Sequence, residues 1–242
     1  MKGVILSICA SARLVDLTHE IRPQDVLGGA LALEAAVAFF PEGTVHLAVV
    51  DPGVGGARRA LAVRTGGRYL VGPDNGLLTL ALASEGWAAV ALTAPEYRLP
   101  TVSRTFHGRD VFAPAAAHLA AGVPMERLGA PVTDLVRLPV PGCRLEGGWL
   151  VGAVLDADRF GNLITSIPAT ALDTLPGRGE LAVEVSGRPV GGLATSYAEG
   201  RPGAAAAIVG STGRLEIFVR DGSARDALDA GRGAGIRVRR GA

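Results

Sequence analysis

Val45-His46-Leu47-Ala48-Val49-Val50-Asp51-Pro52-Gly53-Val54-Gly55-Gly56-Ala57-Arg58-Arg59 is the stretch that decides the fold class. An apolar run from Val45 to Val50 ends on a carboxylate, a glycine-rich loop follows, and two adjacent arginines close it. Such a strand delivers a charged group to the carboxyl edge of a sheet, which is where open α/β sheets bind ligands. The glycines allow positive φ and close backbone approach to a ligand. The loop has no Gly-Lys-Ser/Thr, so it is not a P-loop, and its spacing is not the dinucleotide fingerprint.

Outward from this loop, short β-like runs alternate with helical segments. Leu14-Val15-Asp16-Leu17 reads as a strand, and Gly28 to Phe40 as a helix bounded by Pro41. Leu61-Ala62-Val63 and Tyr69-Leu70-Val71 read as a hairpin around Gly66-Gly67. Gly76 to Ser84 reads as a helix, Ala88 to Leu92 as a strand, and Asp110 to Ala120 as a helix ending at Gly122. Strands alternating with helices predict a layered α/β domain, a sheet between helices. The pattern changes near Pro139-Val140-Pro141-Gly142. Beyond it come β-type runs at Trp149 to Leu155, Leu163 to Ile167, Leu181 to Val185, Ala205 to Val209, Leu215 to Val219 and Ile236 to Arg239. Closely spaced turn signals between them predict a smaller all-β, barrel-like domain. The boundary falls at Pro141, giving domains of residues 1–141 and 142–242.

Composition narrows the function classes. A chain of 242 residues that is 48% apolar and 19% charged describes a globular protein with a large core. A net charge of +1 leaves no electrostatic footprint for nucleic acid. Lys2 is the sole lysine and the arginines are dispersed, a sign of genome composition and not of a basic binding surface. Cys9 and Cys143 lie far apart without a CxxC, so they indicate neither a metal site nor a disulfide framework, and Cys9 reads as a packed small hydrophobe. No apolar stretch approaches the roughly 20 residues of a membrane span, and the apolar run after Met1-Lys2-Gly3 is short for a signal peptide. A cytoplasmic enzyme is the expectation.

Four clusters carry candidate chemistry: Asp51 to Arg59; Gly72-Pro73-Asp74-Asn75-Gly76-Leu77-Leu78; Thr105-Phe106-His107-Gly108-Arg109-Asp110; and Asp156-Ala157-Asp158-Arg159-Phe160-Gly161-Asn162-Leu163. Each has a purely structural reading. Asp74-Asn75-Gly76 is also an Asx-type turn, Asp158 to Asn162 also a tight β-turn, and Arg58-Arg59 also a solvated pair. His46 and His118 are assigned to structure, and His19 reads as a core or capping residue. A zinc site built from His19, His107 and Asp51 lacks any HExxH-like spacing.

Taken together, the clusters resemble one family, the S-adenosylmethionine (SAM) hydroxide adenosyltransferases, or SAM hydrolases, relatives of fluorinase and chlorinase. The resemblance covers the chain from Met1 to about Arg239. It implies an α/β N-terminal domain, a β-barrel-like C-terminal domain, and a homotrimer with SAM bound between subunits. It implies hydrolysis of SAM to adenosine and L-methionine by attack of an activated water on C5′, with no metal or other cofactor. Asp51, Arg58 and His107 then match the set that distinguishes water users from halide users. Arg58 would stabilise a hydroxide-like oxygen, Asp51 would orient Arg58, and His107 would accept or relay the proton. By the same resemblance Asp158 would hold the methionine amino group, Asn162 would contact the adenine, and Ser211 would lie at the methionine end. Asp74, Asn75, Phe106, Gly108 and Phe160 complete the expected substrate-binding set.

The match departs from the family pattern in places. Relatives open with a strand ending in a Thr-Asp-Phe-Gly-type motif, whose Asp grips the ribose hydroxyls, and Met1-Lys2-Gly3 corresponds to an internal position. The chain is therefore expected to lack the family's first strand. This points either to a start lying upstream, which the intact downstream set favours, or to a weakened relative. Ser166 and Arg220 stand where relatives usually carry Asn, while Gln24 agrees with the hydrolases. Two alternatives accompany the hydrolase reading: a SAM-dependent halogenase making a 5′-halo-adenosine, and a truncated, non-catalytic SAM- or adenosine-binding protein.

Overall fold

The computed structural model describes residues 1–82, 86–177 and 179–241. It divides into two compact units, Met1–Leu138 and Pro139–Ala242.

The first unit is a mixed five-stranded sheet between helices. Its elements are α1 (Lys2–Ile8), α2 (Val26–Val37), β1 (Val45–Leu47), β2 (Ala60–Thr65), β3 (Arg68–Pro73), β4 (Ala88–Ala91), α3 (Ala113–Ala120) and β5 (Pro131–Val132). The sheet order is β1-β3-β2-β4-β5, with β1 parallel to β3 and the other pairs antiparallel. The β2–β3 hairpin turns at Gly66 and Gly67, both at positive φ (52° and 74°), as a tight two-residue hairpin requires. Side chains alternate across the sheet with a period of two. Ala62, Val71 and Val90 pack with Val111, Phe112 and Ala115 on one face. Leu61, Val63, Leu70 and Ala89 pack with Leu33 and Leu78 on the other.

Helix α2 begins at Asp25, whose side chain accepts from the Gly28 N–H at 2.9 Å. At Gly29 a Cβ would stand 2.7 Å from Leu77 and 2.9 Å from Val50. That glycine lets the helix close onto the backbone that leads into Asp51. Cys9 is buried with Ile5, Ala113 and Ala117, a packed small residue between α1 and α3.

Two expected elements differ. Residues 14–17 form no strand, and Val15 and Leu17 are exposed. The apolar pattern is present but the ladder partner is not. A cavity of about 690 Å³, lined by Leu14, Val15 and Leu17 on one side and Val45, His46 and Leu47 on the other, separates this segment from β1. A strand gains its stability from cross-strand pairing, so an unpaired one stays irregular. The helix expected over 76–84 is a single 3₁₀ turn at Thr79–Ala81, and Ser84 lies outside the described residues.

The second unit is a β-barrel. Its elements are β6 (Arg144–Glu146), β7 (Trp149–Ala157), β8 (Leu163–Pro168), α4 (Ala169–Leu172), β9 (Leu181–Val185), β10 (Arg188–Ala194), β11 (Ala205–Val209), β12 (Arg214–Val219), α5 (Ala224–Leu228) and β13 (Gly235–Arg240). The order β13-β9-β10-β11-β12-β8-β7 closes through the β13–β7 pairing, and β6 adds to the outside of β7. Register shifts within β7–β8, β12–β8 and β10–β11 supply the bends that closure needs. Leu163, Ile167, Val185, Leu215, Ile217 and Val238 fill the interior.

Candidate functional site

Asp51 follows β1 and lies at the edge of a cavity of about 520 Å³ in the first unit, lined also by His19, Gln24, Val50, Pro52 and Leu77. That volume is within the range of small-molecule sites. The Asp51 carboxylate accepts from Arg58 Nε at 3.0 Å to each oxygen, and from Nη2 as well. Both side chains are largely buried, 6% and 10% exposed, so the pair is shielded from solvent screening. Arg58 also lies over the Phe112 ring, 5.3 Å from its centroid.

The same Nη2 lies 2.8 Å from Nδ1 of His107. A guanidinium only donates, so Nδ1 is the acceptor and the neutral ring carries its proton on Nε2. Burial, and then the charge of Arg58, hold the His107 pKa below its ordinary 6.5. Asp51, Arg58 and His107, far apart in sequence, thus form one hydrogen-bonded set.

The remaining expected residues of this unit take bracing positions. Asp74 is buried, accepting from Arg59 Nε at 2.7 Å and from the Val136 N–H at 2.9 Å. Arg59 also reaches Asp134 at 2.9 Å, so the second arginine of the loop is a structural cross-link. Asn75 donates to the Val50 carbonyl at 2.8 Å and accepts from the Leu77 N–H at 3.1 Å, fixing the residue before Asp51. Phe106 is half-exposed, with the Arg109 guanidinium 5.1 Å from its ring centre. Gly108 opens a π-helical turn, Gly108–Phe112, that leads into α3. Turns of this kind are frequent at functional sites.

His46 and His118 are structural in their surroundings. His46 is buried edge-on to Phe40 and His118 packs edge-on to Tyr97. His19, expected as a core or capping residue, is instead 70% exposed and caps no helix among the described residues, with Nε2 3.1 Å from Asp16. Among the described residues no group of three or more His, Cys, Asp or Glu side chains could hold a metal ion.

In the second unit, Asp158 organises its own turn. Its Oδ1 accepts from the Phe160 and Asn162 N–H groups at 2.8 and 2.9 Å, and its Oδ2 from Asn162 Nδ2 at 2.9 Å. Gly161, at φ 82°, lies against Ser223, the N-cap of α5, where a Cβ would collide. Phe160 projects outward, 71% exposed, while Asn162 is buried. Ser211 is exposed in the turn between β11 and β12.

Sequence reasoning missed a buried carboxylate beneath that turn, paired with an exposed tyrosine. Tyr197 Oη donates to Glu216 at 3.3 Å, and the Glu216 carboxyl fills the space a Gly210 side chain would need. Burial, with the Asp158 charge nearby, raises the Glu216 pKa above 4.5. Only its place inside β12, buried from Leu215 to Val219, hints at it, with Glu216 on the face of Phe218 and opposite Leu215 and Ile217.

Two family models match the chain: the SAM hydroxide adenosyltransferase N-terminal domain over residues 1–129 and the C-terminal domain over residues 152–237. The chain is 43% identical over 240 residues to an (R)-S-adenosyl-L-methionine hydrolase of Salinispora tropica, covering 98% of this chain and 90% of the relative. It is 44% identical to the protein of that name from Thermus thermophilus, covering 98% of this chain and 92% of the relative. A fluorinase of an Actinoplanes species is 33% identical, with 71% of this chain and 67% of the relative covered. A crystal structure of an uncharacterized conserved protein from Thermotoga maritima superposes with a TM-score of 0.92 at 35% identity, covering 99% of this chain and 93% of that one. The matches over 98% of this chain lend no support to the expectation of a missing first strand.

Proposed function

The chain belongs to the SAM hydroxide adenosyltransferase family, and from that premise we propose that it hydrolyses S-adenosyl-L-methionine to adenosine and L-methionine through attack of a hydroxide-like water on C5′. The observation that carries the reading is Arg58 held between Asp51 and His107 Nδ1.

The difficulty of this reaction lies in the nucleophile. The sulfonium leaves C5′ as a neutral thioether and needs no acid, whereas hydroxide is scarce at neutral pH. Arg58 is permanently protonated, and Asp51 fixes its plane from one side. Nε and Nη2 are engaged with Asp51, which leaves Nη1 to donate to an oxygen in the site. Each unit by which such a donor lowers the pKa of water stabilises hydroxide by about 1.4 kcal/mol. His107 contributes as a neutral donor through Nε2 and not as the proton acceptor the sequence suggests, because Arg58 occupies Nδ1. The water proton therefore leaves to solvent. Attack then joins an anion and a cation, an attraction that strengthens where solvent is excluded.

In the barrel, Asp158 serves the substrate ammonium, Asn162 offers Oδ1 to the exocyclic amine of adenine, and the exposed Phe160 supplies an apolar face. Ser211 serves the amino-acid end. The same reading carries a homotrimer, a cytoplasmic setting, and a reaction run by side chains without an added cofactor.

The test is incubation with SAM in ¹⁸O-water. Adenosine labelled in its 5′-hydroxyl, together with methionine, is the expected result. Intact SAM refutes the reading, and a 5′-halo-adenosine formed with added chloride or fluoride transfers it to the halogenase alternative.

A further inference from the structure

Asp110 has no part in the chemistry derived above, yet its carboxylate is fully buried and saturated with donors. Oδ1 accepts from Arg109 Nε at 2.6 Å, and Oδ2 from Arg109 Nη2 at 3.1 Å and from the Ser103 N–H at 2.8 Å. Its backbone carbonyl accepts from the Leu99 N–H at 2.9 Å, and its own N–H donates to the Phe106 carbonyl at 3.2 Å. One residue therefore ties the loop 99–107 at its start, its middle and its end. That loop presses the Arg104 carbonyl against Gly55, where φ is 74° and a Cβ would collide with the oxygen. Gly55 lies between Asp51 and Arg58 in sequence, so the loop that carries His107 meshes with the loop that carries its partners. The two loops meet a second time at the Arg58–His107 hydrogen bond.

We infer that Asp110 is the positioning residue of the water-activating set: it holds the 99–107 loop against the Gly55 turn and so keeps His107 Nδ1 within hydrogen-bond reach of Arg58. The inference rests on the hydrolase reading for its kinetic consequence, and on the loop geometry alone for its structural one. A buried carboxylate is needed here because both oxygens accept, Oδ1 from Arg109 and Oδ2 from Arg109 and Ser103, and the NH₂ of an amide would set donor against donor at one of them. The charge has a second effect. His107 is faced by Arg58 and Arg98, which with burial depress its pKa, and by Asp51 and Asp110, which raise it.

The Asp110→Asn variant tests both effects. Its kcat is expected to fall about 100-fold with KM little changed, the scale on which an ångström of misplacement acts. The acid limb of its pH–rate profile is expected to move to lower pH, because one of the two carboxylates that favour protonated His107 is gone. Arg109→Met removes the cation, which sits on a 45% exposed side chain, while the Ser103 N–H still meets the carboxylate, and it is expected to move the limb to higher pH. Asp110→Glu, which restores the charge, recovers the position of the limb. A purely structural role lowers stability or kcat and leaves the acid limb in place.

The ¹⁵N imidazole spectrum of His107, recorded on the protein alone, separates this inference from the hydrolase reading. The native chain shows the Nε2–H tautomer, and the Asp110→Asn variant loses the signature of an Nδ1 that accepts from Arg58. Unchanged His107 signals and an unmoved acid limb in a folded Asp110→Asn variant overturn the inference. An altered spectrum in a chain that turns nothing over sustains it and refutes the hydrolase reading instead.

Discussion

Arg58 donates from Nη2 to Nδ1 of His107 over 2.8 Å, and this contact sets the tautomer of the neutral imidazole. A base in this position would need its free lone pair, and that lone pair already accepts from a permanent cation. The ring is therefore a fixed, neutral donor, held by the same guanidinium that Asp51 grips from the other side.

Protonating Nδ1 would set donor against donor, so turnover requires neutral His107. Burial and Arg58 place its pKa below 6.5, and the ring is neutral at pH 7. The kcat/KM profile is expected to rise through a single acid limb centred below that value and to stay level above it. A rate that falls as pH rises through neutrality would restore His107 as an acid.

The Asp51–Arg58 pair is largely buried on both sides. Removing one partner leaves an unpaired charge, so Asp51→Ala is expected to cost about 3–5 kcal/mol in urea denaturation. Arg58→Lys keeps the charge but loses the fork that spans Asp51 and His107. Its kcat is expected to drop by about 10²–10³-fold, the cost of losing a preorganised donor. Turnover retained by the lysine variant would show that charge alone suffices.

Gly55→Ala combines a left-handed backbone with a collision against the Arg104 carbonyl. The expected loss exceeds ~1 kcal/mol, the most that the same change gains at a glycine whose conformation alanine adopts without strain. The variant is also expected to lose kcat, since the two loops must part to admit the methyl group. Thermal unfolding and turnover measured together check this, and a variant with native stability contradicts it.

Glu216→Gln probes the barrel. In the folded protein Glu216 keeps its proton above 4.5, whereas the unfolded chain releases it there. Above that pH the unfolded state binds fewer protons, so this residue lowers stability as pH rises from 4.5 to its raised value. The amide keeps an acceptor for Tyr197 and never ionises. Expected is a variant at least as stable as the parent at pH 8, with a flatter dependence of Tm on pH; a lower Tm at pH 8 contradicts the account.

What the sequence revealed, and what it concealed, follow from the range of the interactions involved. Gly66-Gly67 announced the β2–β3 hairpin because turn chemistry is local. The barrel strands were legible from alternating apolar residues between turns, while β10, with Pro189, Gly191 and Gly192, carried too little apolar pattern to be seen. Leu14 to Leu17 misled because an apolar pattern describes how a strand would pack and not whether a neighbour exists. His107 stood out by its motif. The tautomer of His107, the brace at Asp110 and the Tyr197–Glu216 pair depend on contacts between distant segments, which spacing does not encode.

Asp51, Arg58 and His107 lie in the unit that ends at Leu138, and Asp158, Asn162 and Ser211 in the unit that begins at Pro139, each unit closed around its own apolar interior. Heredity can therefore work on the two interiors at different tempos: a lineage is free to vary the packing inside the barrel while the apolar layers of the first unit pass down unaltered.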